Sequence, residues 1–211
     1  MAREVDAGRL RGYGDGVKEY PSDAAGQRAM LRAERALRKE PDLPPAQEWT
    51  VVAHRLEAAG FPEGAAVAWR SAIALEPGLP LAHLGLGRTL LDLGDADGAA
   101  ASLRAAMEAD RVAAAKGLEA LLDDPDDDPW YPLGQAEHLR GRLDAAVEAY
   151  GKSAERFPWF AEPLLEMARA QVARGDRAAV AATVGRLLQR ARHRPELRAE
   201  AERLLGECSG S

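Results

Sequence analysis

The chain has 211 residues, 46% of them hydrophobic but only 5% aromatic, so a folded domain must make its contacts mainly with Ala, Leu and Val. A formal net charge of −6 leaves no footprint for a phosphate backbone and excludes nucleic acid as a direct partner. The single Cys208 cannot form an internal disulfide, Met1 to Asp6 lack the apolar run of a signal peptide, and no stretch approaches the roughly 20 apolar residues of a membrane span. A cytoplasmic protein is expected, and the Ala/Arg/Gly/Pro-heavy usage points to a bacterium.

In chain order, residues 1–20 read as an irregular arm. Its Gly12-x-Gly14-x-Gly16 run follows no strand, which removes a dinucleotide loop. Residues 21–41 predict a helix opened by Ser22 and Asp23 and stopped by Pro41. Ala29, Ala33 and Ala36 in that helix repeat a small-residue spacing found further on, so it is expected to cap the N-terminal end of the segment after it.

Residues 46–194 carry a period. Gly60, Gly94, Gly141 and Gly175 each interrupt two Ala/Leu-rich stretches, at intervals of 34, 47 and 34 residues. Self-similarity on this scale predicts stacked repeats. At matching offsets after the glycines stand Ala65, Trp69 and Ala72; Ala99, Leu103 and Ala106; Ala146, Tyr150 and Ser153; Val180, Val184 and Leu187. Steps of four and three put each set on one helical face, and small–large–small suits two helices crossing closely around a bulky knob. Before each glycine lies a second amphipathic stretch, so every unit reads as an antiparallel helix pair. The longer interval predicts an insertion near residues 114–127, whose Asp123–Asp128 run reads as a charged linker with its last aspartates capping the next helix. That run lacks the glycine and distal glutamate of a calcium loop. Pro195 opens a last amphipathic helix over residues 195–206, expected as the C-terminal cap.

These units resemble the tetratricopeptide repeat family. Trp130-x-x-Leu133-Gly134, then Ala146-x-x-x-Tyr150 and Pro158, carry the signature best. The third unit departs at Glu137, where the family usually places an aromatic residue, and in the first unit Ala53 replaces the family glycine. The resemblance implies an all-α, right-handed α-solenoid of four helix pairs, and a non-catalytic adaptor that binds a protein or peptide segment along a concave groove.

Catalytic and metal motifs fail one by one. Gly151-Lys152-Ser153 lies mid-helix and lacks the upstream glycine of a phosphate-binding loop; the Leu93–Gly98 turn lacks the bidentate glutamate of a calcium loop. His54, His83, His138 and His193 have no metal-ligand spacing, and no serine sits on a sharp glycine turn. No enzyme and no cofactor are expected. By the family's alignment the groove-facing residues are Thr50, His54 and Glu57; Leu84, Arg88 and Leu91; Tyr131, Gln135 and His138; Leu165, Arg169 and Val172. Arg88 and Arg169 favour carboxylates, predicting a partner of acidic character, while Leu84, Leu91, Tyr131 and Leu165 offer apolar contact. The lysine and asparagine with which related co-chaperones clamp a chain end are absent; Thr50 and Val51 stand there instead. Two other readings remain open: a self-associating homo-oligomer, and a small-molecule-binding accessory of a biosynthetic system.

Overall fold

Prolines open several of the helices. In the computed structural model, which describes residues 43–116 and 125–209, Pro45, Pro62, Pro80 and Pro195 are each the first residue of a helix. Proline has no N–H to leave unpaired there, and its fixed φ matches the helix. The described residues form nine α-helices, one 3-10 turn and no strand. They are α1 (Pro45–Ala58), α2 (Pro62–Leu75), α3 (Pro80–Asp92), α4 (Ala96–Ala115), α5 (Trp130–Leu139), α6 (Leu143–Arg156), α7 (Glu162–Ala173), α8 (Arg177–Arg190) and α9 (Pro195–Ser209), with the 3-10 turn at Pro125–Asp127 before α5. None is long and apolar enough to cross a membrane. The expected arm at 1–20, the capping helix at 21–41 and most of the insertion lie outside the described residues. α9 extends three residues beyond the predicted end at 206.

The same turn closes four helices. Gly60, Gly94, Gly141 and Gly175 have φ of +77°, +79°, +71° and +74°, a region that costs a side chain but not glycine. After each glycine the next N–H reaches back to a carbonyl five residues earlier: Phe61 to Leu56, Asp95 to Leu90, Arg142 to Glu137 and Asp176 to Gln171, at 2.8–3.0 Å. This Schellman geometry satisfies helix-end carbonyls and reverses the chain.

Two compact units result. Among the described residues the first holds 43–95 and 105–116, the second 96–104 and 125–209, so α4 contributes to both. In the first unit α2 packs on α1 and α3, and Val52, Ala53, Leu56, Ala65, Trp69 and Ala72 are fully buried. In the second, α5 through α8 pack each on the next and α9 covers α8 and α7, burying Leu197, Ala201 and Leu204 with Leu164, Val180, Val184 and Leu187.

Aromatic rings lie directly on glycine backbone in both units. A methyl group built on Gly85 would stand 2.3 Å from the Trp69 ring, and one on Gly134 would stand 2.4 Å from Tyr150. Tyr150 thus lies over the signature glycine of its own helix pair. Trp69 does not: the corresponding place in its pair is Ala53, and the indole lies on Gly85 of the next helix instead. The sequence pattern marks Gly87, not Gly85.

Polar groups then tie the helices. In the first unit Glu57 Oε1 of α1 accepts Trp69 Nε1–H of α2 at 2.9 Å and Thr89 Oγ1–H of α3 at 2.6 Å. The Thr89 hydroxyl also lies 2.8 Å from the Gly85 carbonyl and shares its one proton between the two. Burial pushes the Glu57 carboxyl up, but the hydrogen bonds from His54, Thr89 and Trp69 outweigh it and hold it below the usual carboxylate range. In the second unit buried Asp128, one residue before the Pro129 N-cap of α5, accepts the Trp130 N–H through Oδ1 at 3.1 Å and takes the Ser153 hydroxyl of α6 through Oδ2.

Two outcomes test this packing. Gly85→Ala should lower the thermal midpoint, because the overpacking cost of about 1–3 kcal/mol exceeds the helix-propensity gain of about 1 kcal/mol; Gly185→Ala, on α8 with nothing within 4 Å, should raise it. Glu57→Ala should cost about 1–2 kcal/mol at neutral pH by orphaning the indole and hydroxyl donors. Because the folded carboxyl titrates below its unfolded value, its stabilisation is full above about pH 4.5 and fades as pH falls further. Denaturant melts of wild type and variant from pH 7 to pH 3 should therefore converge at the acid end.

Candidate functional site

Each unit carries its own candidate face. In the first, His54 is largely exposed, with its ring edge-on to Trp69 at 4.8 Å and Nδ1 3.4 Å from Glu57 Oε2. The indole is thereby held by a carboxylate on its N–H and an imidazole against its ring. Thr50 is half-buried and turns its hydroxyl to the Gln47 carbonyl of its own helix at 2.7 Å. Arg88 is exposed and Leu91 half-buried. Leu84, expected to offer apolar contact, is 2% exposed and belongs to the packing instead.

The second face is richer in rings and charges. Tyr131 is half-buried, edge-on to Phe160 at 5.2 Å and tilted against Tyr150 at 6.0 Å. Burial, then the nearby Glu166 and Glu162 carboxylates, push its hydroxyl up to about 12, so it stays a neutral donor at any physiological pH. Gln135, His138 and Val172 are half-buried on the same helices, α5 and α7. Leu165, like Leu84, is interior, 7% exposed within the core of its unit.

Arg169 is already engaged. Its Nη1 donates to Glu166 at 2.6 Å and its Nη2 to Glu200 of α9 at 2.7 Å. Glu200 also accepts from Arg203. The Glu200 hydrogen bond raises the guanidinium pKa, and Arg169 in turn is the first cause holding Glu200 below the usual carboxylate range. Arg169 thus has two carboxylate partners of its own, one on its helix and one on α9.

The most unusual polar site shows in the sequence only as an irregularity. Glu137, where an aromatic residue was expected, is 1% exposed. Its Oε1 accepts from Arg104 Nη2 of α4 and from Arg140 Nη1 at 2.9 Å; its Oε2 makes no hydrogen bond, and Arg142 Nε stands 3.9 Å from it. Gln171 occupies the equivalent place in the fourth helix pair and is also buried, with its side-chain oxygen unpaired. The departure of Glu137 from the aromatic residue that the family places there was the available signal; the arginine partners, one of them 33 residues away, were not.

No family model matches the chain, and no curated protein does either. Solved structures do. A crystal structure of MamA is similar over 80% of this chain and 84% of its own, with a TM-score of 0.63 at 18% identity. PilW, a type IV pilus biogenesis factor, is similar over 86% of this chain and 79% of its own, with a TM-score of 0.62 at 18% identity. YrrB, described as a TPR protein with an unusual peptide-binding site, is similar over 85% of this chain and 90% of its own, with a TM-score of 0.58 at 16% identity. Four helix–turn–helix segments with glycine turns, read with these likenesses, give the chain the all-α fold of a tetratricopeptide-repeat protein, of the α-solenoid class.

Proposed function

We propose that the chain is a non-catalytic adaptor that binds a protein or peptide segment on the faces of the first helices of its pairs. The observation that carries this is the second face. There a half-buried Tyr131 with a neutral hydroxyl lies beside Phe160, and the Glu166–Arg169–Glu200 relay spans α7 and α9. A ring anchors by area, while a charged relay selects by hydrogen bonding, and the two together are the usual composition of a recognition patch. YrrB's peptide-binding site and PilW's part in pilus biogenesis point the same way, as properties of folds like this one. In the first unit the reading rests on His54, Thr50, Arg88 and Leu91.

An acidic segment suits Arg169 by exchange. Its carboxylate replaces Glu200, one charge-assisted hydrogen bond for another, and Glu200 keeps Arg203. A single cysteine, with no second thiol to pair it, favours a reducing compartment such as the cytoplasm.

A peptide library screened against the purified chain, followed by calorimetry of the best binders, tests the reading. Tyr131→Ala and Arg169→Ala should each weaken a binder by about tenfold, the usual effect of removing an anchor, with helix content by circular dichroism unchanged. Affinities indifferent to both substitutions would mean that binding occurs elsewhere.

A further inference from the structure

The second face is also where the C-terminal helix is fastened. Two ion pairs tie α9 and the turn before it to α7. Arg194 Nη1 meets Glu162 Oε1 at 2.7 Å, and Glu200 Oε1 accepts from Arg169 Nη2 at 2.7 Å. Both pairs end beside Tyr131: Glu162, Arg169 and its other partner Glu166 are charges that act on the tyrosine hydroxyl. A segment seated on Tyr131 therefore meets the groups that hold α9.

The Arg169–Glu200 pair is not what keeps α9 in place. The two side chains are 39% and 23% exposed, and an ion pair that water reaches adds little to stability. Area holds the helix instead: Leu197, Ala201 and Leu204 are buried with Leu164, Val184 and Leu187 of α7 and α8. Arg198 Nη1 adds a hydrogen bond to the Leu188 carbonyl of α8 at 3.4 Å. Opening the pair strands neither member, because Arg169 keeps Glu166 and Glu200 keeps Arg203 on its own helix. The contact can be exchanged while the helix stays seated.

We propose that α9 is a latch on the second face: in the free chain Glu200 occupies Arg169 as a stand-in for a partner's carboxylate, and an acidic segment bound there opens the ion pair and loosens the C-terminal helix. Resident and competitor have the same chemistry, one charge-assisted hydrogen bond to the same guanidinium. Glu200 is presented by its own helix, at an effective concentration set by the fold rather than by the solution. A lone carboxylate is thus outcompeted, and a segment that is also anchored on Tyr131 is not. The coupling is reciprocal: by whatever factor the latch weakens the ligand, the ligand weakens the latch. The inference rests on the adaptor reading and adds its regulation, with Glu200 acting through Arg169 and never touching the ligand.

The test uses the full chain and a capped heptapeptide with a central phenylalanine flanked on each side by three glutamates. In calorimetry Glu200→Ala should tighten its binding by about fivefold or more, the lower end of a typical coupling between sites. Glu207→Ala removes the same charge from the same helix, but from a residue that pairs with Arg203 and not with Arg169, and should leave the affinity unchanged. Amide hydrogen exchange in residues 195–209 of the wild-type chain should quicken when the peptide is bound. Binding that Tyr131→Ala and Arg169→Ala weaken but Glu200→Ala does not tighten overturns the latch and leaves the adaptor reading standing. Equal tightening by Glu207→Ala, or exchange in α9 that slows on binding, overturns the latch as well. No binding at millimolar concentration by either wild type or Glu200→Ala removes both.

Discussion

Ring against bare backbone is the contact on which each unit depends. Trp69 on Gly85 and Tyr150 on Gly134 bring helices closer than any side chain at those glycines would allow. Close approach in turn is what lets alanine serve as a core residue: Ala53, Ala65, Ala72, Ala146, Ala154 and Ala168 are all at or near zero exposure. A chain with so few aromatics cannot fill wide spaces between helices, so it narrows them. Two of its few large residues, Trp69 and Tyr150, are spent at these contacts, and both are sealed from solvent.

Carboxylates set the register. Glu57, Asp128 and Glu137 each join elements that are distant in sequence through hydrogen bonds accepted from neighbouring helices or turns; Asp128 and Glu137 are sealed from water, and Glu57 is half-buried. Packing of small apolar residues is tolerant of sliding, because alanine surfaces resemble one another. A buried carboxylate is not tolerant, since a shifted neighbour leaves it charged and unpaired. The two kinds of contact are therefore complementary. Apolar area holds the helices together, and the acids decide where along their length they meet.

How much of this was legible depends on distance along the chain. The glycine turns could be read because a left-handed backbone favours one residue type and the spacing repeats it. The helix pairs followed from the steps of four and three. Leu84 and Leu165 show where such reading stops: alignment placed them on the groove face, yet each is enclosed by its neighbours, and which apolar stripe is buried depends on crossing geometry that periodicity does not encode. Arg169 shows a second limit. Its spacing suggests a side chain waiting for a ligand, whereas Glu200, 31 residues on and in another helix, already holds it. Glu137 is the intermediate case, visible as an anomaly from its position but intelligible only once Arg104 and Arg140 stand beside it.

The four indoles are split evenly, Trp49 and Trp69 in the first unit, Trp130 and Trp159 in the second. The first pair is sealed from solvent, at 2% and 0% exposure, while Trp159 is 71% exposed and Trp130 lies under the Lys152 ammonium. Sealed indoles emit at shorter wavelength than wet ones. The intrinsic emission of this protein should therefore carry a blue component from the sealed indoles of the first unit and a redder one from Trp159 in the second. Loosening of one half of the chain before the other is thus visible in the unlabelled molecule.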